Sequence, residues 1–373
     1  MNKFAFIGHP IDLEHLYSLL GNWGWLAQKM PRHVLYSLLL KVPPFKYGEI
    51  TALRSKTGSI ASGIVVICPF LPQQVAFLKE DEVIEKVVQA VKLSEKLGAK
   101  MAVLGGFTSI VGNEGEIVSK RVKIAVTSGN TYTACLAIEG IEKATKIMEL
   151  NLASATLALI GATGDIGSAC ARFFSKKVKK MNIVARNEKR LNDFADFLCE
   201  HSSCDVKVFM RAREAVKEAD VILTVTSAIS VLVNPDDLKP GAIVCDVAIP
   251  ANIAKEIVKI RNDILAFEGG LARPPFMDDI ENSQWRRATP PNSIFGCLSE
   301  GLLLALDGRF ENYSIGRGNI TEAKIKEMFE IEKRHGFEVA QFFCGDKLFT
   351  EKDICNIRRN AERNKERLHA AQR

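Results

Sequence analysis

The fold of this chain of 373 residues can be inferred from one segment, Leu157-Ala-Leu-Ile-Gly161-Ala-Thr-Gly164-Asp-Ile-Gly167. Its apolar residues predict a buried strand, its glycines a tight turn, and residues 168–177 continue as a helix. Such a turn lets the backbone approach a pyrophosphate, and the helix N-terminus offers free N–H groups and a favourable dipole. The stretch therefore predicts a dinucleotide site that includes Gly161, Thr163, Gly164, Asp165, Ile166 and Gly167. A structural turn that binds nothing is the alternative interpretation.

The end of the next apolar strand, residues 181–185, indicates which dinucleotide binds. An acidic residue at that position would hold the ribose hydroxyls of NADH, whereas a basic residue accommodates the 2′-phosphate of NADPH. This chain has Arg186 there, followed by Asn187, Lys189 and Arg190. We predict NADPH, with Arg186, Asn187 and Arg190 at the phosphate end. A solvated basic helix start is the alternative.

Two later strand ends complete the predicted cofactor site. Thr226 and Ser227 close the next strand and would line the ribose and nicotinamide side. Gly269 and Gly270 end the last strand, where the missing side chains would leave room for the nicotinamide ring. Both assignments depend on sheet geometry, and plain loop structure explains each of them equally well.

Strands alternate with helices on both sides of the glycine turn, which predicts an α/β fold. Compact apolar runs at residues 156–161, 181–185, 221–226, 242–247 and 264–267 are typical of a parallel sheet covered on both faces. We expect an N-terminal α/β substrate domain (1–150) and a Rossmann-type, doubly wound parallel-sheet domain (151–290). C-terminal helices (291–373), starting with an apolar helix at 295–306, would pack back on the first domain and end in a basic tail.

Composition narrows the class of protein. Hydrophobic residues make up 47% and charged residues 25%, which is normal for a globular protein, and no uncharged apolar run is long enough to span a membrane. The N-terminus reads as a strand, and nine cysteines without a Cys-x-x-Cys pair indicate reduced, cytoplasmic thiols and no metal site. Basic segments at 172–190 and 356–373 suit a phosphate-bearing cofactor and an acidic partner better than nucleic acid.

Cys297 is the candidate nucleophile. Pro and Asn residues precede an apolar helix here, so the thiol would stand in a first turn whose dipole lowers its pKa. A thiolate beside a nicotinamide can take an acyl group as a thioester, which hydride then reduces. A small apolar packing residue is the alternative for Cys297. Cys135 opens another helix and is a rival, and His9 and His15 are candidate proton donors or structural histidines.

In these motifs the chain resembles the long-chain acyl-[acyl-carrier-protein] reductases, which are best known from cyanobacteria and form fatty aldehydes. The resemblance covers roughly residues 3–340. Its segments include Phe4-Ala-Phe-Ile-Gly-His-Pro10, Leu104-Gly-Gly-Phe-Thr-Ser-Ile110, Gly129-Asn-Thr131, Gly161-Ala-Thr-Gly-Asp-Ile-Gly-Ser168, Ala185-Arg-Asn187 and Phe295-Gly-Cys297 with Glu300.

The resemblance implies that Cys297 attacks a long-chain acyl thioester and releases the carrier, and that NADPH then reduces the bound thioester to a free aldehyde. It places Phe107, Thr108, Ser109, Asn130 and Thr131 at the acyl site and demotes Cys135, where the family has a tyrosine. An acidic acyl carrier protein and an aldehyde-consuming enzyme are the implied partners.

Departures from the family pattern leave some expectations open. The segments Asp246-Val-Ala-Ile-Pro250 and Leu271-Ala-Arg-Pro-Pro275 differ from it, so acyl chain length and the choice of carrier protein over coenzyme A stay open. The tail from about Phe342 would dock a carrier protein, a membrane surface or another subunit, or it would simply be solvated. The oligomeric state is open as well. A shikimate-type dehydrogenase of a small alcohol and a non-catalytic NADP-binding protein are the alternative functions.

Overall fold

The computed structural model describes residues 2–75, 78–226, 233–248, 252–277, 292–345 and 347–371. Its first sheet contains β1 (Asn2–Gly8), β2 (Phe45–Arg54), β3 (Ile60–Ile67), β4 (Met101–Leu104) and β5 (Ala125–Thr127). The order across the sheet is β2-β3-β1-β4-β5, with β2 antiparallel to β3 and the other neighbours parallel. This sheet carries the α/β pattern expected of the N-terminal part.

The helices of this part are α1 (Leu13–Leu19), α2 (Gly24–Gln28), α3 (Arg32–Lys41), α4 (Pro72–Val75), α5 (Glu80–Lys96), α6 (Val111–Glu114) and α7 (Glu116–Ser119). A 3-10 helix covers Gly106–Ile110. The apolar stretch at residues 13–40 predicts helical pieces broken at Gly21–Gly24 and at Pro31. These breaks are present, because a 3-10 turn covers Gly21–Trp23 and α3 begins directly after Pro31. The apolar residues at 122–126 predict a strand over that whole range, but β5 begins only at Ala125, because Arg121 N donates to Val118 O and completes the turn after α7.

The second sheet is parallel throughout and contains β6 (Thr156–Ile160), β7 (Lys180–Val184), β8 (Asp205–Phe209), β9 (Val221–Thr224), β10 (Ile243–Asp246) and β11 (Leu265–Glu268). Its order, β11-β10-β9-β6-β7-β8, is that of a dinucleotide-binding doubly wound fold. The fold class is therefore as predicted. Strand β8 could not be predicted from the sequence, because this edge strand alternates apolar and polar residues and lacks the continuous apolar run of its neighbours.

Helices α8 (Asn130–Ile147), α9 (Asp165–Phe174), α10 (Glu188–His201), α11 (Ala212–Val216) and α12 (Asn252–Ile260) belong to the second half of the molecule. Of these, α8 is buried along most of its length and packs against α9 and against α13 (Gly296–Leu306). Every residue from Leu298 to Leu306 is buried, and α13 contacts β1 and β4 of the first sheet. The expected packing of this helix against the N-terminal part is confirmed.

Small elements finish the chain. A three-stranded antiparallel sheet joins β12 (Leu271–Arg273), β13 (Ile294–Phe295) and β14 (Glu338–Val339), and β15 (Phe343–Cys344) pairs with β16 (Lys347–Leu348). The last helices are α14 (Glu322–His335) and α15 (Glu351–Ala371). The basic tail is not wholly solvated, because Ile354, Ile357 and Ala361 of α15 are buried and Asn364 donates to Asp263. Within the described ranges, no helix is both long enough and apolar enough to cross a membrane.

Candidate active site

A cavity of about 390 Å3 lies where the carboxyl ends of the two sheets face each other. Residues after β1 and β4 line it from the first sheet, and residues after β9, β10 and β11 line it from the second. The start of α13, with Cys297, closes it from a third direction. The carboxyl edge of a parallel sheet is the usual place for a ligand, because loops from several strands converge there.

The glycine turn after β6 fits a dinucleotide. Gly161 has a φ of +94°, and a Cβ on Gly167 would come within 2.2 Å of the Gly161 carbonyl oxygen, so the turn packs too closely for side chains at either position. Gly164 caps α9 without any side-chain hydrogen bond, which leaves the first N–H groups of that helix available to an anion. The backbone cradle that a pyrophosphate requires is therefore present at Gly161, Gly164 and Gly167.

The side chain of Asp165 has a structural use that its assignment to the cofactor did not foresee. Its buried carboxylate accepts hydrogen bonds from Asn130 Nδ2 at 3.0 Å and from Gly318 N at 3.1 Å. Burial raises the pKa of this carboxyl group, whereas the two donors act against that rise. The side chain therefore ties α9 to α8 and to the loop before α14, and its neighbour Ile166 is the residue of this stretch that lines the cavity.

The basic residues after β7 lie beside the glycine turn. Arg186 is exposed, and Arg190 Nη2 donates to Thr163 O at 3.3 Å, which holds this cation next to the turn. The Asn187 side chain accepts from Arg190 N at 2.9 Å and caps α10, so it has a structural use that its assignment to the cofactor did not foresee. A 2′-phosphate at this strand end would meet Arg186 and Arg190.

The ends of β9 and β11 form the side of the cavity at which the sequence predicts the nicotinamide. Thr226, Gly269 and Gly270 line the cavity as predicted, and Ser227 lies outside the described residues. Sequence analysis assigned no role to Asp246, which ends β10, lines the cavity and accepts from Thr224 Oγ1 at 2.6 Å. Asp246 also accepts from the N–H groups of Ile253 and Ala254 at 3.1 Å, so it fixes the start of α12. In the sequence, Asp246 could have been recognised as a single carboxylate at the end of a predicted buried strand.

Cys297 is the second residue of α13 and is partly accessible from the cavity. The backbone N–H groups of Leu298 and Gly106 approach its sulfur and favour the thiolate, but burial outweighs them and raises the pKa of Cys297 to about 11. The expectation of a lowered pKa is therefore wrong, because the thiol loses more solvation than the helix terminus replaces. Gly129 packs so closely that a Cβ there would lie 2.2 Å from Cys297 Cα.

His9 positions a loop and is not a proton donor. Its Nε2 accepts from Phe107 N at 2.8 Å and its Nδ1 donates to Pro10 O at 2.8 Å, which assigns a neutral ring with both nitrogens occupied. Burial lowers its pKa to about 4. The ring also holds Gly106 in place, since a Cβ on Gly106 would lie 2.7 Å from His9 Nε2. His15 lines the cavity too, and its Nδ1 accepts from Ile11 N at 3.2 Å, so its Nε2 carries the proton.

The predicted acyl-site residues divide into two groups. Phe107, Ser109 and Asn130 line the cavity. Thr108 and Thr131 are completely buried and do not line it: Thr108 Oγ1 donates to Gly105 O at 2.9 Å, and Thr131 Oγ1 bonds Ser314 Oγ at 2.5 Å. The Thr108 hydroxyl thus serves the backbone of the glycine turn and the Thr131 hydroxyl serves Ser314, which the sequence pattern did not reveal.

Glu300 joins the pieces behind Cys297. It is fully buried one turn further along α13, and it accepts from Tyr132 N at 2.8 Å and from Thr127 Oγ1. Burial raises its pKa, and these donors partly offset the rise. The side chain thereby fixes the start of α8 against the start of α13. Cys135, by contrast, is fully buried within α8, and burial raises the pKa of its thiol well above the ordinary value.

Comparisons with known proteins cover both halves of the chain. The family described as Shikimate / quinate 5-dehydrogenase matches residues 142–266, the part that contains the glycine turn and the second sheet. The long-chain acyl-[acyl-carrier-protein] reductase of Synechococcus elongatus is 31% identical over 346 residues, which are 90% of this chain and 98% of that protein. Aminotransferase PigE of a Serratia species is 26% identical over 96% of this chain, which spans only 42% of PigE. A solved structure of L-tryptophan dehydrogenase from Nostoc punctiforme is 11% identical over 98% of this chain and 89% of that one, with a TM-score of 0.40.

Proposed function

The chain belongs to the family of the long-chain acyl-[acyl-carrier-protein] reductases and is an NADPH-dependent oxidoreductase, and from this premise we propose that it reduces a long-chain fatty acyl thioester to a fatty aldehyde through an acyl group held on Cys297. The supporting observation is that one cavity receives both Cys297 and the nicotinamide-side residues Thr226, Gly269 and Gly270. A nucleophile and a hydride donor must reach the same carbon atom in this reaction.

In the first step, the Cys297 sulfur attacks the carbonyl carbon of the acyl thioester. A carbon–sulfur bond to Cys297 forms, the bond to the carrier sulfur breaks, and the proton of Cys297 ends on the released carrier thiol. The N–H groups of Gly106 and Leu298 stabilise the negative charge on the sulfur as it develops. Because a free thiol with a pKa of about 11 is almost entirely protonated at neutral pH, this stabilisation matters at the moment of attack.

In the second step, the cavity protects the acyl group on Cys297 from water. When bound at the glycine turn, NADPH supplies the hydride that converts this thioester to the aldehyde. The Cys297 sulfur is the leaving group and returns to the thiol. His15 is the candidate donor of that proton, since it lines the cavity and carries its hydrogen on Nε2.

An acyl carrier protein is the proposed acyl donor, because the name of the Synechococcus protein gives acyl-[acyl-carrier-protein] as its substrate. The alternative of a shikimate-type dehydrogenase keeps the cofactor site but needs no nucleophile. Its family match ends at residue 266 and includes neither β1–β5 nor Cys297. Cys297 therefore separates the two functions.

Mass spectrometry of the protein after incubation with a long-chain acyl thioester and no NADPH tests the proposal. We expect one acyl adduct on Cys297 in the wild type, and neither adduct nor aldehyde with Cys297→Ser. Cys199→Ser is the matched control, because Cys199 is exposed on α10, and it should react as the wild type does. Aldehyde formation by Cys297→Ser at the wild-type rate would overturn the proposed mechanism.

A further inference from the structure

Helices α1–α3 and the start of β2 expose an unusual amount of apolar surface. Among the described residues, seven of the fourteen exposed large apolar side chains fall within residues 23–47, and Trp23 and Trp25 are 71% and 58% exposed. The others in this segment are Leu26, Val34, Leu38, Val42 and Tyr47. Isolated exposed apolar residues are normal, but a concentrated group of them indicates an interaction surface.

Helix α3 is apolar on two faces. Leu35 and Leu39 are buried in a small cluster with Leu16, while Val34 and Leu38, one residue earlier in each turn, are exposed. A surface helix normally has one apolar stripe toward the core and a polar face toward water. Within the part of the chain that the structure describes, the outer stripe of α3 therefore lacks a protein cover.

The charged side chains of the same segment are all basic. No Asp or Glu occurs between Glu14 and Glu49, whereas Lys29, Arg32, Lys41 and Lys46 do occur. Lys29 Nζ lies 4.8 Å from the centre of the Trp25 ring, which places a cation at the edge of the apolar surface. We call the exposed side chains Trp23, Trp25, Leu26, Lys29, Arg32, Val34, Leu38, Lys41 and Val42 the apolar-basic face.

The apolar-basic face continues into the cavity. Tyr47 is 41% exposed and also lines the cavity, as does Leu19, which precedes Trp23 by four residues. Ile110, at the end of the 3-10 helix after β4, is likewise exposed and lines the cavity. An apolar path therefore leads from the surface of α2 and α3 to the interior.

We propose that the apolar-basic face lies on an anionic lipid bilayer and turns the cavity mouth toward it. Exposed tryptophans and leucines beside lysine and arginine are the pattern of elements that rest in the membrane interface, where the cations meet lipid phosphates. The inference rests on the proposed function for its purpose, since a long-chain aldehyde is poorly soluble in water and a bilayer can take it up. Its evidence is the surface itself and does not depend on the reaction.

Flotation of the full chain with vesicles made of equal parts phosphatidylglycerol and phosphatidylcholine tests the proposal. We expect the wild type to float with these vesicles and to bind phosphatidylcholine vesicles more weakly. Trp23→Ala with Trp25→Ala should lower the partition coefficient more than about tenfold, because two large apolar anchors are removed. Lys29→Gln with Arg32→Gln should lower it about fivefold for each lost charge.

Met210→Ala with Ile260→Ala is the matched control, since both side chains are exposed and lie outside the segment. It should float as the wild type does, and thermal melts should show that all variants fold. In a Trp285→Phe background, lipids brominated in the acyl chain should quench the fluorescence of Trp23 and Trp25. That quenching distinguishes contact with lipid tails from contact with headgroups alone.

Turnover of a short, water-soluble acyl-coenzyme A separates this inference from the proposed reaction. The tryptophan variant should keep that turnover while losing vesicle binding, because neither ring lines the cavity. A wild type that does not float, or a tryptophan variant that floats normally, would overturn the membrane proposal whatever the enzyme reduces. If the wild type bound no vesicles and the tryptophan variant lost binding to an acyl carrier protein, the apolar-basic face would be assigned to a protein partner instead.

Discussion

Cys297 experiences two opposing effects. The N–H groups of Gly106 and Leu298 favour its thiolate, but burial disfavours any charge and prevails, raising its pKa to about 11. Part of the stabilisation that the thiolate does have therefore depends on the 3-10 turn at Gly106–Ile110, and the rest comes from Leu298 in α13. His9 maintains that turn through its bond from Phe107 N.

His9→Ala should make Cys297 less reactive. Without the ring, Gly106 and Phe107 are free to move, and loss of one N–H bond to the sulfur should slow alkylation by iodoacetamide about tenfold at pH 8. The rate-against-pH profile should also shift to higher pH, which a purely structural loss of active protein would not cause. Mass spectrometry of the Cys297 peptide measures both. His33→Ala is the control, because His33 is exposed on α3. An unshifted profile for His9→Ala would contradict the role of His9 in holding the turn against Cys297.

At the level of a single element junction, we propose that the segment between β7 and α10 determines the choice of cofactor. Arg186 is exposed at the strand end and Arg190 is bound to the glycine turn, so both cations are available to the 2′-phosphate. A charge-assisted bond to phosphate is among the stronger polar contacts in proteins.

Arg186→Ala should raise the KM for NADPH about tenfold or more and leave the KM for NADH nearly unchanged, because NADH lacks the phosphate. Steady-state kinetics with both dinucleotides measures the ratio. Arg211→Ala is the matched control, since Arg211 is an exposed arginine just beyond the end of β8. An unchanged NADPH preference in Arg186→Ala would remove this residue from the site.

At the scale of the whole molecule, α8 is the structural centre, and two carboxyl groups meet on it. Glu332 of α14 is buried beside Glu139 of α8 and close to Tyr132. Burial, and then the neighbouring Glu139 charge, raise the pKa of Glu332 well above its ordinary 4.5. The folded protein therefore retains a proton at pH values where the unfolded chain has released it.

This proton makes stability depend on pH. As pH rises above 4.5, the unfolded state loses the proton first and is favoured, so the free energy of unfolding should fall until the folded pKa is reached. Glu332→Gln should remove this dependence and stabilise the protein by roughly 2 kcal/mol at pH 8, with little effect at pH 4. Urea unfolding at several pH values measures it, with the exposed Glu330→Gln as control. Equal stabilisation at pH 4 and pH 8 would contradict the explanation.

Features that depend on local periodicity and on a single residue type could be predicted from the sequence alone. Apolar spacing and glycine's access to positive φ explain three of these features. They are the strand, glycine turn and helix at residues 157–174, the breaks among α1–α3, and the parallel strands of the second sheet. The edge strand β8 was missed because a strand with one neighbour lacks the pattern of a buried one.

The surroundings of each functional side chain, in contrast, depend on how the whole chain packs. Packing occupies both nitrogens of His9, bonds the Asp165 carboxylate to Asn130 and Gly318, buries Thr108 and Thr131, and raises the pKa of Cys297 where the helix terminus alone would lower it. Desolvation and hydrogen bonding depend on residues that lie far apart in the chain, such as His9 and Phe107 at 98 positions and Thr131 and Ser314 at 183 positions. Sequence spacing carries no information about such neighbours, because they meet only when strands pair and elements pack in the folded chain.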